Sequence, residues 1–148
     1  MHNTLQLNNK DQSFSEISYY SGVQATDWSW GALMFDANND GYRDIYVCNG
    51  VYQDVTDQDF INFFANDVIQ KMTTSGKKED KEKVIDAMPS NPQLNKMFKN
   101  NAPANDFTFG DVGEDWGCTT PSFSNGAAYG DLDNDCLFDR FQLTDDSI

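Results

Sequence analysis

Residues 36–44 read Asp-Ala-Asn-Asn-Asp-Gly-Tyr-Arg-Asp, a loop of the form D-x-[DN]-x-D-G-x-x-D. A hard cation such as Ca²⁺ takes six to eight oxygen ligands at about 2.3–2.6 Å, and carboxylates or amides at alternate positions of a loop can curl round one ion. The spacing assigns Asp36, Asn38, Asp40 and Asp44 as side-chain ligands and Tyr42 as a backbone carbonyl donor. Gly41 permits the sharp turn, since a residue without Cβ enters positive φ freely. A second stretch, residues 131–139, supplies Asp131, Asp133, Asp135 and Asp139 at the same intervals. Cys136 replaces the turn glycine there and disfavours positive φ, so that site is expected to be strained and weaker, or not formed. Neither loop is an EF-hand, whose twelfth position needs a bidentate Glu. Val47 and Gln142 stand at that position, and both loops are flanked by strand-like sequence. Three carboxylates in the first loop and four in the second repel one another, which a bound cation offsets.

These loops sit in an internal repeat. Residues 30–40 align with 125–135 at a constant spacing of 95, and Leu7-Asn8-Asn9 with Phe14 to Ile17 resembles Lys99-Asn100-Asn101 with Phe107 to Phe109 at a slightly shorter one. Short strands are expected at 4–7, 14–18, 32–36 and 44–48, joined by Asn/Asp/Gly turns into antiparallel hairpins. The run Tyr42 to Val47 alternates and suits a half-buried strand. Residues 54–94 differ. Phe60, Ile61, Phe63, Phe64, Val68 and Ile69 recur at helical spacing, with Thr56 as the expected N-cap and Asp57 and Asp59 in the first turn. A second, more polar helix is expected from Glu79 to Met88, before Pro89. The predicted organisation is thus a blade-like segment at 1–53, a helical insertion at 54–94, and a second blade-like segment at 95–148 that departs from the pattern after about 139.

The chain resembles the FG-GAP, or VCBS, repeats of integrin-α-like β-propellers, and among them the bacterial cartilage-acidic-protein type. The resemblance is carried by Thr26 to Leu33, by Asp36 to Gly50 and by Pro121 to Asp135, and it spans about residues 3–139. It implies a mainly β fold in which antiparallel hairpins form about two propeller blades with a helical insertion between them. It also implies Ca²⁺ in the hairpin loops, with Leu137 as the carbonyl donor matching Tyr42, and a role in binding rather than chemistry. Two repeats cannot close a ring of roughly four to eight blades, so the chain is expected to be a fragment of a longer protein.

Composition narrows the functions. The 148 residues carry 24 Asp plus Glu against 10 Lys plus Arg, a formal charge of −14, which disfavours nucleic acid and anionic membrane as partners. Seven of those ten basic residues lie between Lys71 and Lys99, so the outer segments are more acidic still. Aromatics at 14% argue against disorder. No apolar run approaches the about 20 residues of a membrane span, and no signal peptide is visible. His2 is the single histidine, which excludes Ser-His-Asp catalysis and histidine zinc sites, and no phosphate-binding loop is present. Cys48, Cys118 and Cys136 cannot all pair within the chain and are expected as small buried thiols. Trp28, Trp30 and Trp116 are expected to pack rather than to stack on sugars. The leading expectation is a non-enzymatic, calcium-stabilised module for protein or glycan interaction, extracellular, at the cell surface or periplasmic. The alternative is part of a propeller-based polysaccharide hydrolase or lyase.

Overall fold

The computed structural model describes residues 2–54, 56–65, 88–104, 106–131 and 139–144, with the backbone alone described at 63–65 and 139–144. The chain separates into two compact units, residues 1–50 with 92–148, and residues 51–91.

The first unit is built on an antiparallel sheet in the order β3 (Ser29–Phe35), β4 (Asp44–Asn49), β5 (Lys96–Asn100), β6 (Phe109–Asp111). Two hairpins accompany it, β1 (Gln6–Asn8) with β2 (Phe14–Glu16), and β7 (Ser124–Gly130) with β8 (Asp139–Thr144). The fold is mainly β and antiparallel, as the strand and turn pattern of the sequence implies. A one-turn helix α1 (Ser18–Ser21) follows β2, ending at Gly22 in the left-handed region.

Strand β4 is buried at every position, where the alternation of the sequence predicts a half-buried strand. The reason is that both faces of this strand are covered. On one face Phe35, Tyr46, Cys48, Met97 and Cys118 form a cluster that packs on Leu33, Val112, Trp116 and Ala127. On the other, Ile45, Val47 and Phe98 join Val23, with Leu5 and Phe109 against them. Tyr46 and Met97 are almost wholly buried, and each such side chain contributes about 1.5–3 kcal/mol by leaving water. The expected strand at 4–7 is observed at Gln6–Asn8, and the one at 14–18 stops at Glu16, because the Glu16 carboxylate accepts from the Ser18 N–H and turns the chain into α1. Strand β3 starts three residues before its expected position and carries a bulge between Ser29 and Ala32.

The same hydrogen bonds recur along the unit. Ser29 pairs with Asn49 and Phe35 with Asp44, and 95 residues later Ser124 pairs with Thr144 and Gly130 with Asp139, with a register shift at the same place. Val23 N–H donates to Ser18 O and Cys118 N–H to Gly113 O, again 95 apart. Further upstream the interval is 92: Lys10 N–H donates to Asn8 Oδ1, and Ala102 N–H to Asn100 Oδ1. Asn8 pairs with Phe14 and Asn100 with Phe109, so the counterpart of Phe14 is Phe109, not Phe107 as the sequence alignment has it. The longer loop before Phe109 absorbs the difference.

In the second unit, Val51 and Asn91 bridge the two chain ends, and Asp54 N–H donates to Pro89 O. A π-helical segment runs over Phe60–Ala65. Its start is capped by Asp57, whose carboxylate accepts from Phe60 N–H at 2.7 Å, rather than by the expected Thr56. Thr56 is engaged elsewhere, donating both N–H and Oγ1 to Asp54. Val68, Ile69 and nearly all of the expected helix at 79–88 lie outside the described residues.

Candidate metal centre

The Asp36–Asp44 loop closes the β3–β4 hairpin, so its first and last carboxylates are fixed by the register that pairs Phe35 with Asp44. Asp36 turns back on the loop, accepting from Asp40 N–H at 3.0 Å and Gly41 N–H at 2.8 Å. Asn38 bridges to Asp40, its amide donating to Asp40 Oδ2 at 2.9 Å and its Oδ1 accepting from Asp40 N–H at 3.2 Å. Tyr42 N–H donates to Asp40 Oδ1 at 3.0 Å. Asn39 and Gly41 take φ of 56° and 89°, and it is this left-handed pair that folds the loop over. Nothing lies within 4 Å of a Cβ built on Gly41, so the glycine serves conformation and not space.

Asp44 is different. Its side chain is fully buried, Oδ2 accepting from Ala37 N–H at 3.1 Å and Oδ1 from Asn100 N–H at 2.8 Å. It thereby ties the loop to β5, and Asn100 adds a second tie by donating its amide to Arg43 O. Burial pushes the Asp44 carboxyl above its usual range; the two N–H bonds oppose this, and the charges of Asp40 and Asp36 add to it. Asp40 lies below its usual range through the Asn38 amide, the Tyr42 N–H and the Lys99 ammonium, which stands 3.7 Å away.

The sequence-assigned residues of the first loop, Asp36, Asn38, Asp40, Tyr42 and Asp44, therefore occupy one hairpin turn, with oxygen donors throughout. Oxygen is the donor a hard cation takes, and each carboxylate oxygen keeps a lone pair beyond its N–H bond, so the donor set fits Ca²⁺ in kind. In this conformation the carboxylates serve N–H groups of the loop and of Asn100, and among the described residues no three Asp, Glu, Cys or His side chains are gathered into a ready cage. The second loop is described only at its ends: Asp131 is exposed, Asp139 opens β8, and Asp133, Asp135, Cys136 and Leu137 lie outside the described residues.

Asn100 and Lys99 were not legible as site residues. They are 56 and 55 positions from Asp44 in sequence, and only the β4–β5 pairing brings them to the loop. Of the tryptophans, Trp116 packs on the core, while Trp30 is about half exposed and held by its Nε1–H to Gly50 O. Cys48 and Cys118 are buried.

A separate cavity of about 520 Å³ is lined by Asn95, Lys96, Asp111, Glu114, Asp115 and Cys118, among others. Burial pushes the Asp111 carboxyl up, but Lys96 at 2.7 Å and the Gly113 N–H outweigh it and hold it below the usual range. A glycosidase general acid needs the opposite shift. No helix among the described residues is long and apolar enough to cross a membrane. Compared with known proteins, the chain matches no family model, no curated protein and no solved structure.

Proposed function

We propose that the chain is a calcium-stabilised β-repeat module that mediates protein or glycan interaction outside the cell or at its surface. The observation that carries this reading is Asp44: a fully buried carboxylate that anchors an acidic hairpin loop to the neighbouring strand, with two further carboxylates close enough to raise its pKa. A turn that needed only solvation has no use for a buried charge. Asp36, Asn38, Asp40, Asp44 and the Tyr42 carbonyl would hold the ion, and the ion would supply the positive charge that offsets their mutual repulsion. Binding to the folded state alone stabilises it by mass action. Loops of modest affinity suit the millimolar calcium of extracellular fluid.

The test is calorimetric calcium titration of the chain and of Asp40→Ala, with thermal melts in calcium and in chelator. Saturable binding and a melt that rises with calcium, both lost in Asp40→Ala, are expected. A melt indifferent to chelator, with no heat of binding, refutes the proposal.

A further inference from the structure

The recurrence of hydrogen bonds in the first unit exposes an incomplete second copy of its own core. In the complete part, β5 pairs with β4 through Ile45–Phe98, Tyr46–Met97 and Val47–Lys96. The counterpart of β5 is β1, at an interval of 92, and the counterpart of β4 is β8, at 95. Yet among the described strands β1 pairs with β2 alone and β8 with β7 alone. The alternation of N–H direction along a strand leaves Gln6 and Asn8 N–H pointing away from β2, because Asn9 N–H is the one that donates across to Ser13 O. Their counterparts, Phe98 and Asn100, face β4, and Asn100 N–H donates to Asp44.

The side chains repeat the pattern. On the covered face of the sheet, Ala127 and Tyr129 of β7 pack down, Tyr129 stacking on Phe35 with ring centroids 4.8 Å apart. Their counterparts on β3, 95 residues earlier, are Ala32 and Met34, and these line the opposite face. There Leu5 and Val23 fill the places that Met97 and Cys118 fill on the covered face. The places of Tyr46 and Cys48 have no occupant from this part of the chain. What stands there is an apolar cavity of about 250 Å³ lined by Trp30, Ala32, Met34, Ile45 and Val47, with Trp30 54% and Met34 46% exposed. The residues at the missing positions by sequence are Phe141 and Leu143, apolar in both cases, and they belong to β8.

We propose that the β7–β8 hairpin of one copy of this chain adds to β1 of a second copy, head to tail. The added hairpin completes a four-stranded sheet in the order β7, β8, β1, β2, with Arg140 opposite Gln6 and Gln142 opposite Thr4. The same placement lays the Ala128 face of β7 over Trp30, Ala32 and Met34. It continues, between copies, the contact that β7 already makes with the opposite face of the sheet inside one copy. Unpaired edges of this kind are ready templates for strand addition. The contact is heterologous, so each copy offers one donor hairpin and one acceptor edge. A charge of −14 per copy opposes the approach, and salt therefore strengthens it. The association does not depend on a bound cation.

The experiment is sedimentation equilibrium over a range of protein concentrations, in chelator, at low and at high salt. The wild-type chain is expected to rise above its 16.7 kDa monomer mass, more so at high salt. Gln6→Pro removes an outward N–H of β1 and leaves the bonds to β2, and Ala128→Asp charges the exposed donor face of β7. Each alone is expected to weaken association by about tenfold or more. Mixed in equal amounts they restore a single dimer, because the Gln6→Pro copy still has its donor hairpin and the Ala128→Asp copy its acceptor edge. Circular dichroism and thermal melts of both variants check that they fold as the wild type does. A wild-type chain that stays monomeric at high salt to several hundred micromolar overturns the proposal. So does a pair of folded variants that gives no dimer on mixing, and so does either variant alone that self-associates as the wild type does, which is the result an isologous contact through the unaltered surface would produce.

Discussion

Replacing Asp44 by alanine separates what the carboxylate does for the fold from what the loop does for a cation. Asp44 accepts one N–H on each oxygen, from Ala37 at 3.1 Å and from Asn100 at 2.8 Å, in a place closed to solvent. Alanine leaves both donors without an acceptor. A buried donor left unsatisfied costs about 1–3 kcal/mol, which gives about 2–6 for the pair. Against this, the variant no longer holds a charge in a site that penalises it, as the upward shift of its pKa indicates, so the lower half of the range, about 2–4 kcal/mol, is expected. Single domains are stable by about 5–15 kcal/mol, so the loss is large and readable in urea denaturation. It should be present in chelator, and in calcium the loss of the bound ion adds to it. Asp40→Ala behaves differently: its partners Tyr42 N–H and the Asn38 amide lie at the exposed tip, where water replaces the lost acceptor, and the cost in chelator is about 0.5 kcal/mol or less. Calcium then stabilises the wild type and not the variant. An Asp44→Ala chain that unfolds in chelator within about 0.5 kcal/mol of the wild type refutes the reasoning, since it would mean those two N–H groups reach water.

Two further outcomes follow from the same geometry. Gly50 has φ of 113° and a Cβ there would lie 2.1 Å from the Ser122 carbonyl oxygen, a backbone atom that cannot swing aside, so Gly50→Ala should cost about 3 kcal/mol or more. Gly41→Ala meets no atom and should cost only the about 1–2 kcal/mol of left-handed backbone; equal melts for the two variants would contradict the packing described. Asp111 has a folded pKa below its ordinary value, so its contribution to stability is complete above the ordinary carboxylate pKa and fades as pH falls through the folded one. Because Lys96 and Asp111 are 36% and 44% exposed, the component is below about 1 kcal/mol. Asp111→Asn should flatten that part of the acid unfolding curve, and a curve unchanged by the substitution would remove the pair from the account.

Composition, turn chemistry and local spacing determined a good deal by themselves. In the segments flanking residues 54–94, the antiparallel β character follows from short apolar-aromatic runs cut by Asn, Asp and Gly, because such turns leave those segments no room for long helices. The loop at 36–44 is legible because its chemistry is confined to nine consecutive residues, and local hydrogen bonds from Asp36 and Asp40 shape it. Tertiary structure decided what depends on distant neighbours. Strand β4 alternates as a half-buried strand would, yet both of its faces are covered, by Leu5 and Val23 from one side and by Ala127 from the other. Asp44 reads in sequence as one ligand among four, and becomes the buried anchor of the loop only because β5, more than fifty residues away, brings Asn100 N–H against it. The cap at Asp57 in place of Thr56 turned on a competing bond from Thr56 to Asp54. The physical reason is the same each time: spacing along the chain specifies which groups can reach one another locally, while burial and the pairing of strands far apart in sequence decide which of those groups lose water, and so which of them carry the energy.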